Sequence, residues 1–172
     1  IPGSNAPDNG GANVLKWDES GRQFVPVDGN ATPAPGQGFI VYVYGDVDYD
    51  GNDEGFPKML QTKGMQRSGT INPSLAYSDD EDGKSNDDGW NLVGNPYGNT
   101  IDWDASKGWT KQSLDQSIYV WSDTANSYLS WNGDTGTLPS GKVAPWQGFW
   151  VKANGNTTPS LEMTNNIRDA GA

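Results

Sequence analysis

Short runs of alternating apolar and polar residues fall along this chain in two matching sets. Val14-Leu15-Lys16-Trp17-Asp18, a turn at Glu19-Ser20-Gly21 and then Gln23-Phe24-Val25 have the period-2 pattern of a β-hairpin. Ile118-Tyr119-Val120-Trp121-Ser122, a turn through Asn126 and Tyr128-Leu129-Ser130 repeat that pattern. Each hairpin is followed by the same phrase, PGQGFIV at 35–41 and PWQGFWV at 145–151, which predicts long strands over 37–44 and 147–153. A closing strand comes next, Lys58-Met59-Leu60-Gln61 in the first set and Ser160-Leu161-Glu162-Met163 in the second. This repeated order predicts two related half-units that pack together, because each alone exposes an apolar side. The Phe and Val of the shared phrase are expected to face a common core.

One element occurs once. Gly89-Trp90-Asn91-Leu92-Val93-Gly94-Asn95-Pro96-Tyr97 reads as a strand entering a Gly-Asn-Pro turn ahead of the second hairpin, whereas residues 1–13 ahead of the first are rich in Gly, Asn and Pro. The first unit is therefore expected to lack its initial strand. Residues 1–13 then follow an irregular path, or the strand lies upstream in a longer protein, or a neighbouring molecule supplies it.

Composition agrees with this pattern. The 23 Gly and 11 Pro suit tight turns and leave little room for helices, and no segment sustains a 3.6-residue period. A chain of 172 residues can bury about 70% of its unfolded surface. Only 33% of residues are hydrophobic, yet 8 are Trp and 7 Tyr, so large aromatics must supply much of the buried area. The predicted fold is a single all-β sandwich over 1–172, with half-repeat A at about 14–64, an acidic connector at 78–88 and half-repeat B at about 89–171.

Charge and missing residue types remove several function classes. A net charge of −11 disfavours nucleic acid and anionic membranes, which need a basic face. Without Cys or His, neither disulfides nor thiolate and imidazole metal sites can form, and Ser-His and Cys-His nucleophiles are excluded. The sequence has no apolar run of membrane-spanning length and no signal peptide. Its start at Ile1-Pro2-Gly3 is that expected of a piece excised from something longer.

The strings GWNLVGNPYGNTIDWDASKGWT, IYVWSDTANSYLSWNG, GKVAPWQGFWVKANG and PSLEMTNNIRDAG, in that order, resemble a module of secreted and cell-surface proteins of the Bacteroidota. In that family the module often precedes a type IX secretion sorting domain. The resemblance covers 89–171 closely and 14–64 more weakly. It implies an extracellular β-sandwich accessory module without catalytic activity, in a secreted or cell-surface setting; no sorting domain follows within these residues.

The sharpest chemical motif is Asp46-Val47-Asp48-Tyr49-Asp50-Gly51-Asn52-Asp53-Glu54. Carboxylates at alternate positions before a turning Gly can close around one hard cation, as in the first half of an EF-hand loop. Pro57 stands where such a loop has its closing bidentate Glu, so Glu54 or another carboxylate must substitute. Five carboxylates within nine residues repel one another without a cation, which favours Ca2+ over a solvated acidic turn. The predicted metal set is Asp46, Asp48, Asp50, Asn52, Asp53 and Glu54. The second acidic run, 78–88, keeps no alternate spacing and reads as a charged connector.

The tryptophans point to sugars, whose apolar faces stack on indoles while Asn and Asp take the hydroxyls. Trp17 and Trp121 hold matching repeat positions and Trp90 lies in a strand, so those three are expected to be structural. Alternation along Phe149-Trp150-Val151 turns Trp150 away from its neighbours. The predicted ligand platform is Trp103, Trp109, Trp131, Trp146 and Trp150. A glycosidase would need a carboxyl group buried against an apolar wall. The four glutamates, Glu19, Glu54, Glu81 and Glu162, lie in turns or edge-like segments, and Asp102 and Asp104 flank Trp103 in a turn that Asp commonly caps. A non-enzymatic role is expected. Asn30 and Asn156 fit N-x-S/T glycosylation, and Thr124 lies in an Asp-Thr-Ala triplet that resembles the D-S/T-x site on which Bacteroidota attach O-linked glycans. Two functions follow: a calcium-stabilised module binding a polysaccharide or glycan, or a structural, adhesive subunit of a surface layer or fibre completed by a neighbouring subunit.

Overall fold

A computed structural model describes residues 12–27, 32–46, 50–59, 67–79, 86–155 and 157–169. The fold is all-β. In chain order the strands are β1 (Val14–Asp18), β2 (Gln23–Pro26), β3 (Ile40–Val41), β4 (Trp90–Gly94), β5 (Ile101–Asp102), β6 (Trp109–Gln112), β7 (Leu114–Ser122), β8 (Ser127–Trp131), β9 (Lys142–Val143), β10 (Gly148–Ala153) and β11 (Ser160–Met163). Two single 3-10 turns, Pro139–Gly141 and Asn165–Ile167, supply the helical geometry among the described residues. The main sheet has the order β4-β10-β7-β8; a smaller one has β2-β1-β3, and β11-β6 and β5-β9 form two-stranded ladders.

The duplication is visible in hydrogen bonds. Trp17 pairs with Phe24 across the first hairpin and Trp121 with Tyr128 across the second, and in both a strand returns antiparallel on the other edge, Ile40 opposite Leu15 and Trp150 opposite Tyr119. The hairpin turns match as well: Arg22 and Asn126 both have φ of 47°, and their amides donate to Glu19 O (3.2 Å) and Asp123 O (3.3 Å). Tyr128 is thus the counterpart of Phe24, one residue earlier than the sequence match placed it. The recurring phrase also has a physical meaning. The Gln37 amide donates to Ala34 O (3.1 Å) while its side-chain Oε1 accepts from Ala34 N (3.4 Å); Gln147 does both with Ala144 (3.2 Å each). The residue before the glutamine takes the left-handed region, Gly36 at φ 79° and Trp146 at φ 59°.

The initial strand that occurs once serves both units. One edge of β4 pairs with β10, from Gly148 opposite Gly94 to Lys152 opposite Trp90. On its other edge Gly94 N donates to Gly36 O (2.9 Å), Gly38 N donates to Leu92 O (3.2 Å) and Gln37 bridges Val93. A Cβ on Gly94 would come within 2.9 Å of the Gln37 carbonyl oxygen, so this crossing requires glycine. Asn91 and Asn95 hold the strand's surroundings. Asn91 exchanges side-chain bonds with the Ala76 backbone (2.8 and 2.9 Å), and Asn95 donates to Asn99 O and Ala144 O (2.9 Å each).

The core lies on one face of the main sheet. Val93, Ile118, Val120, Phe149 and Val151 point inward from the sheet, against Trp103, Leu161, Met163 and Ile167 from the covering ladders and turns. Every member of the cluster comes from residue 71 onward. Phe39 and Val41 are only half-buried and stand outside it, contrary to the expectation that both phrases line one core. The reason is geometric: β3 and the first hairpin dock beside and over the opposite face of the sheet. Among the described residues the closing strand appears once as a strand. β11 pairs with β6, whereas Lys58 and Met59 form none and residues 60 and 61 lie outside the described residues.

Phe149→Ala should therefore cost ~3–5 kcal/mol in urea unfolding by opening a cavity in a filled core, and Phe39→Ala distinctly less. Equal losses would show that the first unit carries core packing after all.

Candidate functional site

The outer face of the main sheet carries mainly aromatic rings, with Leu92 of β4 among them. Strict alternation puts Trp90 on β4, Tyr119 and Trp121 on β7, and Trp150 on β10 on the side opposite Val93, Ile118, Val120 and Phe149. The first hairpin lies over this face. Trp17 and Phe24 meet Trp150 edge to face, with centroids 5.2 and 6.1 Å apart, and Trp90 meets Tyr119 and Trp150 likewise at 5.2 and 6.3 Å. Such contacts set the positive ring edge of one partner on the negative face of the other.

Between hairpin and sheet these rings leave a cleft of about 530 Å³, lined by Trp17, Trp90, Tyr119, Tyr128 and Trp150, with Arg22, Asn86 and Asp87 at its polar side. That volume lies within the ~300–1,000 Å³ of small-molecule sites. The rings are held by their polar atoms. Trp150 Nε1 donates to Tyr128 Oη (3.3 Å) and Trp90 Nε1 to Asn86 O (2.8 Å), while the Lys152 ammonium stands 5.5 Å over the Trp90 ring. The buried Trp17 Nε1 finds no acceptor among the described residues.

A polar node keeps the hairpin in place. Glu19, 6% exposed, accepts from Ser78 N (2.8 Å), Ser78 Oγ (2.8 Å) and Gly89 N (3.0 Å). Arg22 pairs with Asp88, itself 2% exposed, and donates to Ser78 O (3.3 Å). Glu19 thus has the burial expected of a functional carboxyl group, but its oxygens are committed to backbone and hydroxyl donors.

Of the five tryptophans nominated as a platform, the structure brings only Trp150 to the cleft. Trp103 is 3% exposed and packs on Trp109 at 4.9 Å, its Nε1 donating to Gln116 O (2.7 Å). Trp109 Nε1 donates to Asp102 O (2.8 Å). Lys111 caps this pair, its ammonium 3.4 Å from the Trp103 centroid and donating to Trp103 O (2.9 Å). Burial of that ammonium pushes its pKa down to about 8 against the pull of Asp104 and Asp102. Trp131 is half-buried with its Nε1 on Asp104 Oδ2 (2.6 Å), and Trp146 stands 73% exposed at its turn, away from the cleft lining. Asp102 Oδ1 accepts from Asp104 N (2.9 Å), which makes the pair a capped turn. Trp17 and Trp90, read as structural, do pack on Phe24, Tyr119 and Trp150, and they also line the cleft. Alternation through Trp90-Asn91-Leu92-Val93 was the available signal for Trp90; the position of Trp17 depends on a tertiary contact.

The acidic loop gathers part of its expected donor set. Carboxylate oxygens of Asp46, Asp50 and Glu54 lie within 4.8 Å of one another. Asp46 also accepts from Gly51 N (3.0 Å), and Asp50 from Asn52 N (2.8 Å) and Asn52 Nδ2 (3.0 Å), contacts that hold the Asp50 carboxyl below its usual pKa. Asp53 is turned to Gly55 N (2.6 Å), and Glu54 pairs with Lys58 (3.2 Å). Three hard oxygen donors on one loop fit a calcium ion in ligand type; Asp48 lies outside the described residues. Thr124 sits in the exposed turn between β7 and β8, while Asn30 and Asn156 lie outside the described residues.

No family model, curated protein or solved structure matches the chain.

Glu19→Ala leaves the Ser78 and Gly89 amides without their acceptor, at about 1–3 kcal/mol for each buried donor. A lowered unfolding midpoint, with a red shift of tryptophan emission as the hairpin lifts from Trp150, is the expected readout; unchanged emission would mean that the ring contacts alone hold the hairpin.

Proposed function

We propose that this protein is a non-catalytic module that holds an uncharged glycan in the cleft between Trp17, Trp90, Tyr119, Tyr128 and Trp150. The observation that carries this reading is the cleft's composition, five aromatic walls and a rim of Arg22, Asn86 and Asp87 around about 530 Å³. Apolar sugar faces pack on rings, and hydroxyls take the polar atoms at the ring edges and rim. Charge favours a neutral sugar. The chain carries −11, Arg22 is already matched by Asp88, and Asp87 on the rim would repel a uronate or sulfate.

The setting belongs to the same proposal. The motif order resembling Bacteroidota accessory modules supports a secreted or cell-surface protein, and the convergence of Asp46, Asp50 and Glu54 supports a structural calcium ion. In this reading Asp46, Asp50 and Glu54 hold the ion, which offsets their mutual repulsion and stiffens the loop. One observation favours a second reading, a subunit of a surface layer or fibre. β3 ends its sheet with one edge unpaired among the described residues, followed by Tyr42 at 51% exposure, so a strand from another subunit has a place to add.

Affinity electrophoresis through neutral and acidic polysaccharides separates these possibilities. Neutral polysaccharide should retard the protein, and Trp150→Ala should weaken retention at least about tenfold. Retention by none of them, with large assemblies in solution, would favour the subunit reading.

Calcium should raise the melting temperature, with a stabilisation of about 2.7 kcal/mol when free calcium is a hundredfold above Kd. Chelation should remove that increment from wild type and leave Asp50→Asn unaffected; a wild-type midpoint indifferent to chelator would end the calcium proposal.

A further inference from the structure

We infer that the cleft continues beyond Tyr128 onto the exposed Trp121, so that the site takes an internal stretch of a linear, uncharged glycan chain and not a single sugar. This inference rests on the glycan reading above. Trp121 and Tyr128 face each other across β7 and β8, and alternation puts Trp121 on the same side as Tyr119, a wall of the cleft. Tyr128 joins the two parts. Its hydroxyl accepts from Trp150 Nε1 (3.3 Å) inside the cleft, and its ring stands 5.1 Å from Trp121 at an interplanar angle of 73° outside it.

The repeat supplies a control within the molecule. The corresponding pair of the first hairpin, Trp17 and Phe24, has the same edge-to-face geometry, 5.0 Å and 68°, but is covered by Trp150. In the second hairpin the pair is left to solvent, with Trp121 44% and Tyr128 48% exposed. Trp121 is nonetheless oriented, because its Nε1 donates to Asp123 Oδ1 at 2.8 Å. A ring fixed before the ligand arrives loses little freedom on binding. The Trp121 N–H is spent on Asp123, but the Asp123 carboxylate keeps acceptor capacity for a hydroxyl beside the apolar ring face, the combination a sugar unit needs.

Calorimetric titration with neutral oligosaccharides, from di- to hexasaccharide, of the polysaccharide that retains the protein tests this. Wild-type affinity should rise about tenfold or more with chain length. Trp121→Ala should flatten that rise and Trp121→Phe restore part of it, both with wild-type melting behaviour because the side chain is exposed. An affinity independent of length in wild type, or a Trp121→Ala protein that keeps the full rise, would overturn the extended site while leaving the glycan cleft standing if Trp150→Ala still abolishes binding. Failure of every oligosaccharide to bind wild type would overturn both.

Discussion

A strand has two hydrogen-bonding edges, and in β4 both are taken by copies of the same sequence phrase. β10 occupies one edge and the Gly36–Gly38 segment the other, so the two Gln-Gly-Phe segments run parallel to each other with β4 antiparallel between them, although the first makes only an isolated bridge there. This sharing explains an asymmetry in the chain. One Trp-Asn-Leu-Val-Gly strand satisfies two half-units, and the side-chain amides of Asn91 and Asn95 tie that strand to the segments around it. Remove β4 and the Gly36–Gly38 segment loses the backbone hydrogen bonds that tie it to the main sheet, while β10 loses half its ladder.

The two faces of the main sheet divide the labour that follows. The inner face is closed by aliphatic and aromatic packing and accounts for the buried core. The outer face is aromatic, and the first hairpin covers only part of it, which leaves the rings a dual part as packing surface and cleft wall. Edge-to-face geometry suits that part, since a ring packed by its edge can keep a face available.

Much of the architecture was legible in the sequence because strands announce themselves locally. The hairpins, the recurring phrase and the all-β class follow from period-2 alternation, turn residues and internal repetition. What stayed hidden depends on which surfaces meet. Phe39 and Phe149 occupy the same place in their phrases, yet only Phe149 enters the core, because the docking of the first unit is a tertiary choice. Likewise the turn position of Trp103 suggests an available ring, yet it is buried, and the repeat position of Trp17 suggests a packed one, which it is, but gives no sign that it also walls a cleft. In the acidic loop only Asp46, Asp50 and Glu54 of the expected set come together among the described residues, while Asp53 turns to the Gly55 amide, a choice made by local turn contacts that the spacing of carboxylates does not reveal.

The polar node under the hairpin has a consequence for the acidic connector. Glu19 accepts from Ser78 and from Gly89, the residues that bracket the run from 79 to 88, and Arg22 holds Asp88 beside them. The two ends of the run are therefore held together at one closed neck. Since the entropy of closing a loop grows only with the logarithm of its length, the neck makes the length of the stretch between Asp79 and Asn86 nearly a free variable, a place where the chain can accept inserted sequence while Asn86, Asp87 and Asp88 keep their contacts.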